Sequence, residues 1–523
     1  MNAIDKIISY ISPQRALKRQ AARRALQFFD TGYSESGASL RKKSMRGWQA
    51  WSSSPQADID MNVDVLRQRS RDLFMGSALG RSAIVTPRSH VIGVGLKLRS
   101  RIDAEFLGIS REEADKWEKN VERQFNAWAE SKFCDATRLN NFYEMQSLLF
   151  MSFLLNGDGW ALLKTVEPKP YFPFSLRIHL IEADRVSSPQ QYRSIFGTNT
   201  IQINPDNGNK IINGVEIDDE GAVVAYWISN KYQNDPANPL EIMEWQRIDA
   251  FSEATGRPNV LCVMEPERCE QYRGVPYLAP VVEELKQITR YTEAELMAAI
   301  VTGFFTVFIK EGQMPVGDFP LAEAISPQDK VDFDPNAFEL GAGTINALPP
   351  GYDIATADPK RPSSNFDAFI TSLTKHIGAA LEIPYELLTK SFNASYSASR
   401  AALLEAWGAF RMRRAWFAHD FCQPVYEVWL AERIAQGKIK APGFFSDLIV
   451  AKAWSRADWY GPAPGQVDPV KEVQAAQMRI LNGLSTRESE TVELTGRDFD
   501  KNIEQLKREN ELMKQAGMPT VPE

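Results

Sequence analysis

The chain contains few of the residues from which most active sites and metal centres are built. Its 523 residues include four cysteines and four histidines. No two cysteines form a Cys-x-x-Cys pair, which argues against both a zinc ribbon and a disulfide framework. The histidines are too scattered for most metal hydrolases. This cysteine usage fits a protein of a reducing cytoplasm.

The motifs of common enzymes are also missing. A nucleotide-driven motor needs a Gly-x-x-x-x-Gly-Lys-Ser/Thr loop, but the only Gly-Lys pair, Gly437-Lys438, is followed by Ile439 and lacks the upstream glycine. The nearest match to a serine-hydrolase elbow, residues 32–36, lacks its second glycine. We therefore predict a protein that is not an enzyme, with no catalytic residue, no metal ligand and no cofactor.

One pair of residues could suggest metal chemistry. His419 and Asp420 resemble half of a metal phosphohydrolase pair, but they lie between Phe417 and Phe421 on a predicted helix. We interpret His419 as a packed core histidine rather than a metal ligand.

Long apolar runs are absent as well. The most membrane-like stretch, residues 296–309, has fourteen residues, whereas a helix needs roughly 20 to cross about 30 Å of hydrocarbon. We interpret this stretch as a buried helix end that continues into a strand, and we expect no membrane partner. No secretion signal is recognised at the start of the chain.

Charge is unevenly distributed along the chain. Residues 1–50 contain ten basic and three acidic side chains, a net charge of +7, so a chain of net charge −7 carries −14 in its remainder. The basic, amphipathic start could belong to a transit peptide, although an arm that docks on an acidic partner accounts for it more simply. Tight DNA binding by the acidic body is disfavoured, because DNA-binding surfaces pair basic side chains with phosphates.

The remaining composition is that of a folded protein. With 44% apolar and 11% aromatic residues, the chain can form real cores, and its length suffices for two to four domains. Apolar spacing predicts helices over 63–86, before Pro87, and over 112–131, with a Ser110–Glu113 capping box. A third helix is expected at 143–155. Strands are predicted at 90–98, 160–166, 176–181, 210–217, 222–229 and 260–264. We therefore expect a mixed α+β domain.

Two later helices indicate a different arrangement. Helices are predicted over 280–302 and 365–381, separated by a Pro- and Gly-rich piece. In the first of them, one side carries Val281, Leu285, Ile288 and Leu296. A Ser- and Asn-rich loop precedes a long helix over 399–435, which should kink at Pro424, and charged helices follow from 468. By itself the helical pair would be an ordinary αα-hairpin.

Several sequence motifs follow one another in the order found in one protein family. The stretch Tyr-Arg-Gly-Val-Pro-Tyr-Leu-Ala-Pro at 272–280 leads into the first long helix and resembles the start of a portal stem. Further similar motifs lie at 65–73, 91–95, 348–351, 383–388, 396–402, 459–462 and 467–473. Over residues 60–485 the chain resembles the lambda-like portal family of bacteriophages.

The resemblance implies an α+β portal-type subunit with a mixed α/β wing, a two-helix stem, a small α/β clip and a helical crown. Such subunits form a ring through heterologous contacts, and the family implies a dodecamer. The implied regions are a basic N-terminal arm (1–60), the wing (61–279), stem helix 1 (280–303), the clip (304–362), stem helix 2 (363–383), the tunnel loop (384–398), a second wing segment with a long kinked helix and a strand (399–467), and the crown (468–523).

The resemblance also implies roles for individual residues. The stem-start motif would be structural through Arg273, Gly274, Pro276 and Pro280. The tunnel-loop residues that would touch the DNA backbone without reading bases are Lys390, Ser391, Phe392, Asn393 and Tyr396. For these five the alternative is an ordinary exposed loop.

The implied partners are other copies of the chain, double-stranded DNA passing through the ring, the terminase large subunit, and head-completion or adaptor, scaffold and capsid proteins. The protein would belong to the virion and be assembled in the bacterial host cytoplasm. Two alternatives stay open: another non-enzymatic phage head–tail connector or minor capsid protein, and a nuclease or hydrolase with an unusual site. Size and the paired stem helices favour the portal over an adaptor.

Overall fold

The computed structural model describes residues 52–189, 201–233, 235, 241–303, 307–311, 352–356, 366–392, 396–464, 468–497 and 499–518, with short pieces among the first 51 residues. The backbone alone is described for 301–303, 307–311, 352–356 and 396–397. Residues 1–57 and 58–523 form two compact units. Helices alternate with four small antiparallel sheets in the described residues, so the predicted α+β class is confirmed.

The first helical stretch differs from its prediction. It consists of α1 (Val63–Gly76) and α2 (Ala78–Val91), separated at Ser77, whose hydroxyl accepts a hydrogen bond from the Gly80 amide at 3.2 Å. Helix α2 continues through Pro87, and strand β1 (Lys97–Ser100) begins only afterwards, so the prediction of a strand over 90–98 is wrong. Pro87 costs α2 a hydrogen bond, but the helix is retained because much of it is buried, including Ile84 and Val91.

The next helices follow the prediction closely. A short helix α3 (Ala104–Leu107) precedes α4 (Arg111–Ala129), whose Ser110–Glu113 capping box is present, and α5 (Phe142–Asn156) has a second capping box. Most of α5 is buried in the core, although Glu144 and Leu148 are exposed.

Short antiparallel strands follow α5. They are β2 (Asp158–Thr165), β3 (Leu176–Ile181), β4 (Ile201–Ile203), β5 (Lys210–Ile212), β6 (Val215–Ile217), β7 (Val223–Ser229), β8 (Trp245–Asp249) and β9 (Val260–Met264). Strand β2 lies between β3 and β9, with Trp160 opposite both Ile181 and Cys262. The other five form a meander in chain order. The predicted strand over 210–217 is in fact the hairpin β5–β6.

The second half of the chain is mostly helical. Its elements are α6 (Val282–Gly303), β10 (Val307–Glu311), β11 (Tyr352–Thr356), α7 (Phe366–Ala380), α8 (Tyr385–Thr389), α9 (Tyr396–Phe417), α10 (Gln423–Ala435), α11 (Leu448–Ser455), β12 (Ala457–Tyr460), α12 (Pro469–Leu481), α13 (Arg487–Thr495) and α14 (Phe499–Gln515). Strand β12 pairs with β1, and β10 pairs with β11. A π-helical turn, Ala418–Cys422, separates α9 from α10. It lies just before Pro424, where a kink was predicted, and accommodates the backbone N–H that this proline lacks.

An aromatic cluster joins the two halves of the chain. Phe125 of α4 packs edge-to-face against Trp429 of α10, with ring centroids 5.2 Å apart. Phe142 and Tyr426 also contact the Phe125 ring, and all four side chains are buried. Phe125 therefore anchors α10 to the first half of the chain. In the described part of the chain, every helix is too short or too polar to span a bilayer.

Two glycines allow the turn before β2 to touch the segment before α6. Gly157 ends α5 with a φ of +89°. A Cβ placed on Gly274 would lie 1.8 Å from the Gly157 carbonyl oxygen, and one placed on Gly157 would lie 2.3 Å from the Gly274 carbonyl carbon. Both contacts are with backbone, so no side-chain movement can relieve them. Glycine is required on both sides of this contact.

We predict that Gly274→Ala destabilises the protein by about 3 kcal/mol or more, because the backbone must separate to admit a methyl group. The matched control is Gly408→Ala in α9, where an added Cβ meets nothing within 4 Å. That change should be neutral or stabilise by up to about 1 kcal/mol, since alanine favours helix. Urea unfolding of both variants tests this, and equal midpoints would refute the close contact.

Candidate functional site

The arginine of the predicted stem-start motif lies in the protein interior. The Arg273 side chain is 1% exposed. Its Nε donates to Asp158 Oδ2 at 2.8 Å, and its terminal nitrogens donate to the carbonyls of Val186 at 2.7 Å, Ala183 at 2.9 Å and Asn213. Arg273 therefore joins the start of α6 to β2 and to the loops beside the five-stranded sheet.

Asp158 is the centre of a larger buried cluster. Its Oδ2 also accepts from Nη2 of Arg67 in α1 at 2.9 Å and from the Gly274 amide at 3.1 Å, and its Oδ1 accepts from Trp160 Nε1 at 2.9 Å. Arg67 Nε donates in addition to the Asn156 carbonyl at 2.8 Å. One carboxylate thus binds groups from three separate segments of the chain.

The arginines keep this carboxylate ionised. Burial alone would raise the pKa of Asp158, but Arg273 and Arg67 outweigh burial and hold the pKa below its ordinary value. Burial would likewise lower the pKa of Arg273, but Asp158 outweighs it and raises that pKa. For Arg67, burial and the neighbouring Arg273 prevail, and its pKa is lowered.

A second carboxyl group lies at the edge of this cluster. Asp60 is 5% exposed, and its Oδ1 has no hydrogen-bond partner among the described residues. Burial raises the pKa of Asp60 to about 6, although Arg273 acts in the opposite direction. Asp60 is therefore the member of the cluster that titrates near neutral pH.

We predict that Asp60→Asn stabilises the protein in a pH-dependent way. The pKa of about 6 lies above the ordinary value of 3.8, so the stability that protonated Asp60 contributes is complete below about pH 4 and is lost as pH rises through 6. The neutral amide avoids that loss. The free energy of unfolding should rise by up to about 3 kcal/mol near pH 8 and change little near pH 4.

Urea unfolding at the two pH values measures this difference. Asp64→Asn is the control, because Asp64 lies near Arg67 but its side chain is 75% exposed. An Asp60→Asn variant that is less stable near pH 8 would show that the ionised carboxylate is needed there.

The two prolines of the stem-start motif shape the start of α6. The Pro276 carbonyl accepts from the Ala279 amide at 2.8 Å, and Pro280 lies in the 3₁₀ turn Ala279–Val281 that leads into α6. At the first turn of a helix the missing N–H of proline costs nothing. These residues set where the helix begins.

A second set of contacts ties the start of α6 to the end of α7. The Tyr277 amide donates to the Leu154 carbonyl at 3.0 Å, and the Tyr277 hydroxyl donates to the Leu381 carbonyl. Arg413 of α9 lies over the Tyr277 ring at 5.0 Å and pairs with Glu382 at 2.8 Å. The base of the helix pair is thereby held from both sides.

The helix pair itself packs through aromatic rings. Tyr291 of α6 stacks on Phe366 of α7 at 5.4 Å and meets Phe369 edge-on at 5.2 Å. Of the residues predicted to share one side of α6, Val281, Leu285 and Ile288 are buried, whereas Leu296 is 60% exposed. The apolar side of α6 is therefore covered near its start and left open at Leu296 within a single chain.

The described tunnel-loop residues run from the end of α8 to the start of α9. Lys390 has a φ of +59° at the end of α8, and its ammonium donates to the Thr86 hydroxyl at 3.0 Å. The Ser391 amide donates to the Glu386 carbonyl at 3.1 Å, and the Phe392 side chain is 53% exposed. Asn393 lies outside the described residues, and Tyr396 is the first residue of α9.

The loop is thus shorter than the sequence suggested. Helix α8 occupies residues 385–389, inside the region that was predicted as a loop. The stem-start and tunnel-loop residues form two separate groups.

The histidine considered as a metal ligand is not a core residue. The His419 side chain is 85% exposed, and its Nδ1 lies 3.0 Å from Asp420 Oδ1, so its interpretation as a packed histidine is wrong. The π-helical turn rotates it outward, while Phe421 and Cys422 point into the core. In the described residues, no group of three or more His, Cys, Asp or Glu side chains is placed to hold a metal ion.

Sequence reasoning missed the central residues of the buried cluster. Neither Asp158 nor Arg67 was predicted from the sequence to be a buried, paired residue. The available signal was the position of Asp158 at the start of an otherwise apolar strand, because a carboxylate buried there needs a partner of opposite charge.

Comparisons with known proteins agree with the predicted family. The chain matches the family described as phage portal protein, lambda family, over residues 41–414. It is 27% identical over 491 residues to the portal protein of Escherichia phage N15, covering 91% of this chain and 89% of that protein. It is 26% identical over 491 residues to portal protein B of Escherichia phage lambda, covering 91% and 88%.

Structural similarity is weaker. The neck of a native GTA particle computed with C12 symmetry contains a chain of 14% identity and TM-score 0.41, with coverage of 82% of this chain and 92% of that one. The family match spans well over half of the sequence and includes the stem-start motif. The chain therefore belongs to the lambda family of phage portal proteins.

Proposed function

We propose that this protein forms a ring at one vertex of a phage capsid, through which double-stranded DNA is packaged and ejected. The observation that carries the proposal is the family match over residues 41–414. The family implies twelve subunits, joined by heterologous contacts that close the ring. The ring would hold the DNA by geometry, touching its backbone without reading bases.

The distal half of α6 supports a contact between neighbouring subunits. Leu296, Met297 and Ile300 are 60%, 58% and 42% exposed, and Phe369 of α7 is 50% exposed. Four large apolar side chains on two packed helices form an exposed patch of the kind that marks a protein interface. An adjacent subunit would cover this patch, whereas the base of the helix pair is already buried.

The position of the tunnel loop supports a role in guiding DNA. Among the described residues of the loop, Phe392 is exposed, whereas Lys390 is hydrogen-bonded to Thr86, so the Phe392 ring would be available to a passing duplex. The net charge of −14 beyond residue 50 also suits a channel, because an acidic wall does not retain phosphates.

The remaining partners follow from the family. The clip, predicted at 304–362, would receive the terminase large subunit during packaging and head-completion or adaptor proteins afterwards, and the wing and crown would meet scaffold and capsid proteins. The ATP-driven work would be done by terminase, which leaves this chain without an enzymatic role. The ring would assemble in the host cytoplasm and remain in the virion. The alternative is a different phage head–tail connector.

We predict that the purified protein forms closed rings with a central channel wide enough for a duplex, visible by electron microscopy. Leu296→Glu should shift the protein from rings to monomers without lowering the unfolding temperature of the monomer, because a charge on the exposed patch opposes burial. Leu139→Glu is the control, since Leu139 is 69% exposed and lies outside the helix pair. Wild-type protein that stays monomeric under all conditions would exclude the portal role.

We predict that shortening the tunnel loop by deleting residues 391–395 leaves ring assembly intact but impairs DNA packaging or retention. Phe392→Ala should cause a smaller defect of the same kind. Phe445→Ala, at a similarly exposed aromatic residue elsewhere, is its control. Packaged DNA per particle is the measurement. Failure of the deletion variant to form rings would instead assign the loop a structural role.

A further inference from the structure

The C-terminal helices contribute almost nothing to the core of the protein. In the described residues from 468 to 518, only Ala476 and Glu490 are buried. Glu490 is paired within the same segment, with Arg479 Nε at 2.8 Å. We call this part of the chain, α12 to α14, the C-terminal segment, and residues 58–464 the body.

Ion pairs with one charge pattern connect the C-terminal segment to the body. Lys119 Nζ lies 2.6 Å from Glu504 Oε1, and Arg411 Nη2 lies 2.6 Å from Glu493 Oε1. In both pairs each side chain is 43–64% exposed. Two further pairs of the same polarity, Arg99 with Asp500 and Arg101 with Glu488, are less exposed, since the Arg99 and Arg101 side chains are 9% and 24% exposed. In all four pairs the basic residue belongs to the body and the acidic residue to the C-terminal segment.

Open clefts lie beside these ion pairs. A cavity of about 450 Å³ adjoins Arg101, Trp407 and Glu493, and another of about 250 Å³ adjoins Lys119 and Phe499. The apolar side chains that face the body from the C-terminal segment, such as Val492, Phe499 and Ile503, are only partly buried. Close apolar packing, which salt does not weaken, is therefore sparse between the C-terminal segment and the body.

We infer that the C-terminal segment is a displaceable unit, docked on a basic surface of the body by contacts that salt can screen. The attraction between exposed charges weakens as added salt shortens the screening length, whereas buried pairs are screened much less. Raising the ionic strength should therefore lift the C-terminal segment while the body stays folded. This property is independent of ring formation and of DNA passage.

The test is hydrogen–deuterium exchange of the full chain at about 50 mM and about 500 mM NaCl. Short helices lose their protection when they are undocked, because isolated helices of this length are marginal in water. Peptides from α13 and α14 should exchange several-fold faster at high salt, whereas those from α5 and β2 should be unchanged.

Charge reversal identifies the contacts responsible. At low salt, Lys119→Glu and Arg411→Glu should each speed exchange in α13 and α14 by roughly 1.5- to 5-fold, the range for one exposed ion pair. The swaps Lys119→Glu with Glu504→Lys and Arg411→Glu with Glu493→Arg should restore it. Arg111→Glu is the control, because Arg111 pairs with Asp115 inside α4 at 3.2 Å.

Two results would overturn the inference. Exchange in α13 and α14 that responds neither to salt nor to reversal would mean that apolar contacts hold the C-terminal segment. Acceleration of α5 and β2 together with α13 and α14 would mean that the segment is not a separate unit.

Discussion

The arrangement of this subunit depends on one buried carboxylate. The Asp158 side chain is fully buried, and a buried charge costs several kcal/mol unless it is paired and hydrogen-bonded. Arg67, Arg273, Trp160 and the Gly274 amide together meet this requirement. Removing any one arginine would leave Asp158 under-compensated in the interior. The segment before α6 is therefore held to α1 and β2 because the buried charge of Asp158 needs both Arg273 and Arg67.

This constraint explains why the base of the helix pair is fixed while its distal half is open. At the base, the Gly157–Gly274 contact admits no side chain, and Tyr277 is bonded to both α5 and the end of α7. Further along α6, Leu296 and Met297 remain exposed within one chain. A helix pair whose base is fixed and whose distal apolar side chains are exposed is suited to packing against adjacent subunits.

Many helices and strands could be predicted from local sequence patterns, whereas contacts between residues far apart in the chain could not. The strands at 176–181 and 260–264 and the Ser110–Glu113 cap agree with the structure because period and capping are encoded in adjacent residues. Asp158 bonds to residues 91 and 115 positions away, for which one sequence carries no signal. Pro87 misled the prediction for the opposite reason, since burial of α2 outweighs a local rule.

Pairs of basic and acidic side chains have two different roles in this chain, and the extent of their burial determines which role each pair has. The pairing of Arg67 with Asp158 has side chains 2% and 0% exposed, so neither solvent nor salt reaches it. The pairing of Lys119 with Glu504 has side chains 51% and 64% exposed, and dissolved ions compete with it directly. An arginine–carboxylate cluster in the interior therefore fixes the start of α6, whereas exposed ion pairs such as Lys119–Glu504 and Arg411–Glu493 let the C-terminal segment dock reversibly. A portal subunit needs both properties, because its stem must keep its position while other parts adjust to the DNA and proteins that come and go.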